Sequence, residues 1–96
     1  QQTLNLAASS DGKLHYAMLN GYTLSINTKA KDYKDVKKMI ESNQTKLTDI
    51  VRETITSCTV DNISEDAIKN DALKKIQDLL DSKTVVDLSI TNFMYN

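Results

Sequence analysis

The stretch that most constrains the fold is "KLHYAMLNGYTLSIN", Lys13 to Asn27. Its even positions are Leu14, Tyr16, Met18, Tyr22, Leu24 and Ile26, all apolar and interrupted only by Asn20. Side chains on a strand alternate between faces, so the pattern reads as a strand with one apolar side. An Asn-Gly pair between such runs is also a strong hairpin signal. A two-residue turn at Asn20-Gly21 would pair Leu19 with Tyr22. Tyr22, Leu24 and Ile26 would then share a face with Leu19, Ala17 and His15, and Leu14, Tyr16 and Met18 would face the other way. Straight passage keeps the apolar set together. A one-residue slip of register exposes a whole hydrophobic set, so the sequence predicts one long strand with Gly21 at a kink or bulge.

The turn then falls at Ser10-Asp11-Gly12, which combines three good turn formers. It joins the long strand to a first short one, Thr3 to Ala7, with Leu4 and Leu6 inward. After Asn27 the period changes. Tyr33, Val36, Met39, Ile40, Asn43, Leu47, Ile50, Val51, Thr54, Ile55 and Cys58 recur at helical spacing, which predicts one helix from about 32 to about 58. Its first turns, "KDYKDVKK", are almost wholly polar and are expected to project beyond the core.

"VDNIS" separates this helix from the next. Ser64 is the expected N-cap, and Glu65 and Asp66 complement the positive end of the helix dipole. Ile68, Ala72, Ile76, Leu79 and Leu80 form the apolar stripe of a helix ending near Asp81. Glu65–Lys69 and Asp71–Lys75 have the spacing of supportive ion pairs. "TVVDLSITNFMYN" closes the chain as a strand, with Val86, Leu88 and Ile90 on one face. Asn92 breaks that parity, so Phe93 becomes the buried residue if a bulge forms there. The order β-β-α-α-β predicts an α+β fold: a small antiparallel or mixed sheet covered on one face by two helices.

Ninety-six residues make a single domain, 1–96, able to bury a modest core without disulfides or metal. The net charge of −1 offers no field to attract nucleic acid or anionic lipid. The single cysteine, Cys58, forms no internal disulfide and makes a zinc site unfavourable. It reads as a small buried hydrophobe, with a reactive thiol or an intermolecular bridge as alternatives. No phosphate loop, nucleophile elbow or His-x-x-x-His is present. His15, the one histidine, lies on the mostly polar face of the long strand, where a solvated or edge role outweighs that of a general base lacking a visible partner. Asp32 and Asp35, like Glu65 and Asp66, stand at helix starts and read as dipole complements. No catalytic residue, cofactor site or metal site is expected; a binding or assembly module is.

"LTDIVRETITSCTVDNI" followed by "KNDALKKIQDLLDSKTVVDLSITNFMYN" resembles the flagellar basal body-associated FliL family. The shared features are a helix ending like Ile50-Val51-Arg52-Glu53-Thr54-Ile55 and a Lys-rich amphipathic helix. A closing strand like Val85 to Tyr95 follows, containing a Thr-x-Phe such as Thr91-Asn92-Phe93. The front, "TLNLAASSDGKLHYAMLNGYTLSI", is similar to the family's short strand, Asp-Gly turn and long strand. Two departures are the short spacer "TVDNIS" and the Asn20-Gly21 pair.

The resemblance implies a fold like that of stomatin/prohibitin-type (SPFH) domains. It implies a non-enzymatic scaffold held by an N-terminal helix outside this chain in the inner membrane, with this domain on the extracytoplasmic, periplasmic side of the flagellar basal body. Implied partners are stator proteins of the MotA/MotB type and further copies of the chain in a ring, with an effect on torque, swimming or swarming. The isolated domain is then expected to be monomeric or weakly associating. Candidate contact residues are Tyr33, Lys34 and Lys37 at the start of the first helix, with Phe93 and Tyr95 on the last strand. A stomatin-like oligomerisation or adhesion module unrelated to the flagellum is the rival expectation.

Overall fold

The Ser10-Asp11-Gly12 turn forms where the sequence places it. Gly12 takes φ +70°, a left-handed conformation that costs glycine little. Asp11 organises the loop, accepting the Lys13 N–H at 2.9 Å and the Ser9 hydroxyl. The turn joins β1 (Gln2–Asn5) to β2 (Tyr16–Leu19), which pair antiparallel with Gln2 opposite Leu19 and Asn5 opposite Tyr16. The computed structural model describes residues 2–96.

The backbone does not reverse at Asn20-Gly21. It runs on into β3 (Gly21–Ile26), then α1 (Tyr33–Ser42), α2 (Gln44–Thr56), α3 (Glu65–Leu80), β4 (Val85–Thr91) and β5 (Met94–Tyr95). β5 pairs with β2 and β4 with β3, all antiparallel, in sheets ordered β1-β2-β5 and β3-β4. Met18 lies opposite Met94 and Gly21 opposite Thr91, three steps on either strand. The two sheets are therefore one ribbon in a single register, interrupted at Asn20 and Asn92. Among the described residues the fold is α+β, with three helices rather than two.

The expected unbroken apolar face is corrected at this interruption. Buried residues of β2 are the odd ones, Ala17 and Leu19, whereas Leu14 is 83% exposed and Tyr16 41%. Past Asn20 the even residues Tyr22, Leu24 and Ile26 pack against the core. The partner strand changes parity too: Leu88 and Ile90 are buried before Asn92, and Phe93 is the half-buried residue after it. Asn92 has φ 53°, a left-handed geometry that Asn tolerates better than most residues. Because both strands change parity together, the ribbon keeps its pairing and its core side. A second irregularity places Ser25 opposite Asp87 but Ile26 opposite Val85, leaving Val86 as the extra residue. Val85 is therefore buried and Val86 is 53% exposed, the reverse of the sequence expectation.

The long helix expected from 32 to 58 divides at Asn43. Its φ of −123° leaves the helical range, and its side-chain N–H donates to the Met39 carbonyl at 2.7 Å. Val36, Leu47, Val51 and Ile55 face the core from the two segments. Ser64 caps α3, accepting the Ala67 N–H at 3.0 Å. Ile68, Ala72, Ile76 and Leu80 of α3 are buried, while Leu79 is exposed. Fully burying an Ile or Leu side chain contributes roughly 1.5–3 kcal/mol, so this stripe anchors α3 to β4 and α2. The expected Glu65–Lys69 and Asp71–Lys75 pairs do not close to ion-pair distance; the one such contact among the described residues is His15–Asp11.

Candidate functional site

The molecule is elongated. Its extents are 49 × 21 × 18 Å and its radius of gyration is 14.4 Å, against about 12 Å for a compact domain of this length. From Tyr16 to Ile26 the strand rises about 3.3 Å per residue, so its two ends lie roughly 30 Å apart. The candidate contact residues divide between those ends.

At the Ile26 end, Asp32 joins the start of α1 to the start of β4. Its carboxylate accepts the Ser82 hydroxyl at 2.6 Å and the Thr84 hydroxyl, and these two bonds hold its pKa below the usual carboxylate value. The Asp32 side chain makes no hydrogen bond to the helix N-terminus, so its role is to tie two elements together rather than to cap one. This tie positions Tyr33, half-buried, and the exposed Lys34 and Lys37. Tyr33 and Lys34 border a shallow hollow of about 450 Å³ with Thr28 and Asp35. At the Tyr16 end, Phe93 and Tyr95 contact each other, ring centroids 5.8 Å apart and planes tilted by 42°. Phe93 packs against the core, and Tyr95 is 47% exposed. Beside Tyr95, the exposed rims of Tyr16 and Met94 meet Met18 around a shallow apolar hollow of about 370 Å³.

His15 has the partner that sequence reasoning did not find. Its Nε2 lies 2.9 Å from Asp11 Oδ2, and its Nδ1 lies 3.0 Å from the Asn96 carbonyl oxygen. Both partners are acceptors, so only the imidazolium, with two N–H groups, satisfies both. The Asp11 bond leads in raising the His15 pKa above 6.5. The Ser9, Lys13 and His15 bonds lower that of Asp11 to about 2. With both nitrogens engaged, the pair fastens the β1–β2 turn to the end of the last strand and leaves neither nitrogen free for proton transfer to a substrate. Across the same loop, Asp61 Oδ2 accepts the Ser10 N–H at 3.2 Å and its hydroxyl at 3.0 Å. Cys58 is half-buried; its Sγ donates to the Thr54 carbonyl at 3.3 Å, and burial pushes its thiol pKa up. That favours the inert, packed reading of this cysteine over the reactive one.

One feature went unread in the sequence. A cleft of about 560 Å³ separates β3 from α2. Tyr22, Leu24 and Ile26 line it from β3 and Gln44, Thr48 and Arg52 from α2, with Leu47 and Val51 buried beneath. The Tyr22 hydroxyl lies 3.2 Å from Thr48 Oγ1, linking the two walls. The available signal was the spacing of Gln44, Thr48 and Arg52, polar residues four apart that share one helix face. Among the described residues no cluster of three or more His, Cys, Asp or Glu side chains could hold a metal, and no helix is long and apolar enough to cross a membrane. Compared with known protein families and with curated proteins, the chain matches no family and no individual protein.

Proposed function

We infer that this chain is the extracytoplasmic domain of a FliL-type, non-enzymatic scaffold of the bacterial flagellar motor. The observation that carries this reading is the path of the ribbon. The strand entering at Tyr16 passes straight through Asn20-Gly21, and the closing strand returns along its whole length. The family resemblance requires both features, and a hairpin at residues 20 and 21 would have removed them.

The scaffold works by assembly. A membrane tether confines copies at high effective concentration, so individually weak contacts can close a ring. A closed ring needs two different surfaces on each copy, because head-to-tail contacts generate rotation where isologous ones generate pairs. The candidate contacts at opposite ends of the ribbon, Tyr33, Lys34 and Lys37 at one and Phe93 and Tyr95 at the other, supply two such surfaces. A ring that binds the active form of a stator unit of the MotA/MotB type better than its inactive form shifts the unit towards activity.

Deleting the full-length gene from a motile host tests the reading. The expected outcome is reduced torque or fewer engaged stators, restored by the gene in trans. Unchanged torque with unchanged stator number overturns it.

A further inference from the structure

The geometry points to the β3–α2 cleft as a strand-addition site that takes an extended peptide with its terminal carboxylate on Arg52. This assignment stands independently of the motor reading. It begins with the unpaired edge of the ribbon. β1 covers the outer edge of β2 only, with Gln2 opposite Leu19, and β3 has β4 as its one neighbour in the sheet. Asn27 donates its N–H across the ribbon to the Thr84 carbonyl at 2.8 Å; Asn20, on the other side of the parity change and outside the β3–β4 ladder, donates to the Thr91 carbonyl opposite Gly21 at 2.9 Å. Backbone direction alternates along a strand, so from Asn27 the groups of Ser25 and Thr23 also turn to β4. Those of Tyr22, Leu24 and Ile26 turn to the free edge, where the cleft lies. A strand edge with free N–H and C=O groups is a template for another strand.

The second half of the argument is the facing wall. In strand addition the main chain supplies affinity and the pockets beside it supply selectivity. The half-buried Leu24, Ile26 and Ile40 give the alternate side chains of the incoming strand an apolar lining, and Gln44 and Thr48 supply amide and hydroxyl groups beside it. β3 offers six residues, Gly21 to Ile26, which sets the length of the guest. Its direction follows from β1, whose line it prolongs. A guest running antiparallel to β3, as β1 runs to β2, ends beside Gln2.

Arg52 stands at that end of α2, which leads away from α1 towards Cys58, whose carbonyl accepts the Ala7 N–H at 2.9 Å. Arg52 is the one charged side chain among those lining the cleft, it is exposed, and it makes no ion pair among the described residues. A guanidinium binds a carboxylate through paired, charge-assisted hydrogen bonds. The chemistry that fits is therefore the C-terminal segment of a partner protein, extended, apolar at alternate positions and ending in a free carboxylate.

The test uses an N-acetylated hexapeptide of alternating valine and threonine, made as the free acid and as the C-terminal amide. Each is titrated into the ¹⁵N-labelled 96-residue chain and followed by amide shifts and hydrogen exchange. The proposal expects saturable shifts and slowed exchange at Tyr22, Leu24 and Ile26, with the acid binding roughly two- to fivefold more tightly than the amide. Arg52→Gln, at an exposed site, is expected to keep the remaining spectrum and erase the acid–amide difference. Four outcomes overturn the proposal. They are slow exchange of those three amides before peptide is added, shifts centred on another surface, equal binding of acid and amide, and no saturable shift at millimolar peptide. Protection that grows with protein concentration alone assigns the edge to a second copy of the chain and likewise overturns the peptide reading.

Discussion

His15 shows how one side chain fastens two distant parts of the sequence. Its ring bridges Asp11, in the first turn, and Asn96, at the end of β5. The bridge gives the fold a pH dependence whose sign follows from the shifts. The His15 pKa is raised above 6.5 by Asp11, with Asp61 adding to the effect. The associated stability is complete below about pH 6.5 and is lost as pH rises through the folded-state value. Asp11 is shifted the other way, from 3.8 to about 2, so its contribution is present above about 3.8 and fades as pH falls towards 2. Thermal midpoints are therefore expected to decline as pH rises through the folded-state pKa of His15 in the native chain, and to lose that step in His15→Asn. An NMR titration of the ring should place its pKa above 6.5 in the native chain and nearer 6.5 in Asp11→Asn. A ring that titrates at or below 6.5 in the native chain disproves the bridge.

At the scale of elements, α3 is the clearest case of a helix readable from its own residues. Ser64 supplies the cap, and Ile68, Ala72, Ile76 and Leu80 supply the buried face. Replacing Ser64 by Ala leaves an N–H of the first turn unpaired and is expected to cost about 1 kcal/mol in urea unfolding, whereas Gly at the same site costs only a few tenths. Equal losses for the two variants would show that the Ser64 hydroxyl is not the stabilising group. The division at Asn43 was not readable because the apolar period stays in phase across it: Val36 and Ile40 precede the break, Leu47 and Val51 follow it, and all four pack inward. Periodicity registers which face is buried, not whether the hydrogen-bond ladder is continuous. The parity change at Asn20 was hidden for a different reason. It is tolerated only because Asn92 makes the matching change 72 positions away, and no local pattern contains that partner. The candidate contact residues at the two ends were legible only as exposed or aromatic side chains. The cleft was not, because which strand edge stays unpaired is decided by long-range pairing.

For the whole molecule, the ribbon's different chemistry at each end makes a prediction about assembly that is separate from motility. Head-to-tail contact joins the α1 end of one copy to the β5 end of the next, whereas an isologous pair joins like to like. Cysteine cross-linking distinguishes them. Cys58 is first replaced by Ser; it is half-buried and its thiol pKa is raised, so little of its packing depends on ionised sulfur. Lys34→Cys and Tyr95→Cys are then made in separate chains, each anchored through an N-terminal tag to lipid vesicles, which supplies the two-dimensional crowding that the proposed assembly requires. Mixed populations are expected to cross-link readily, and each variant alone to cross-link little. The double variant, carrying both cysteines, is expected to give ladders of multimers rather than dimers, because every copy then offers both partners. Efficient dimer formation by Lys34→Cys or Tyr95→Cys alone would mean that like ends meet, and a chain whose like ends meet closes in pairs and cannot build the ring.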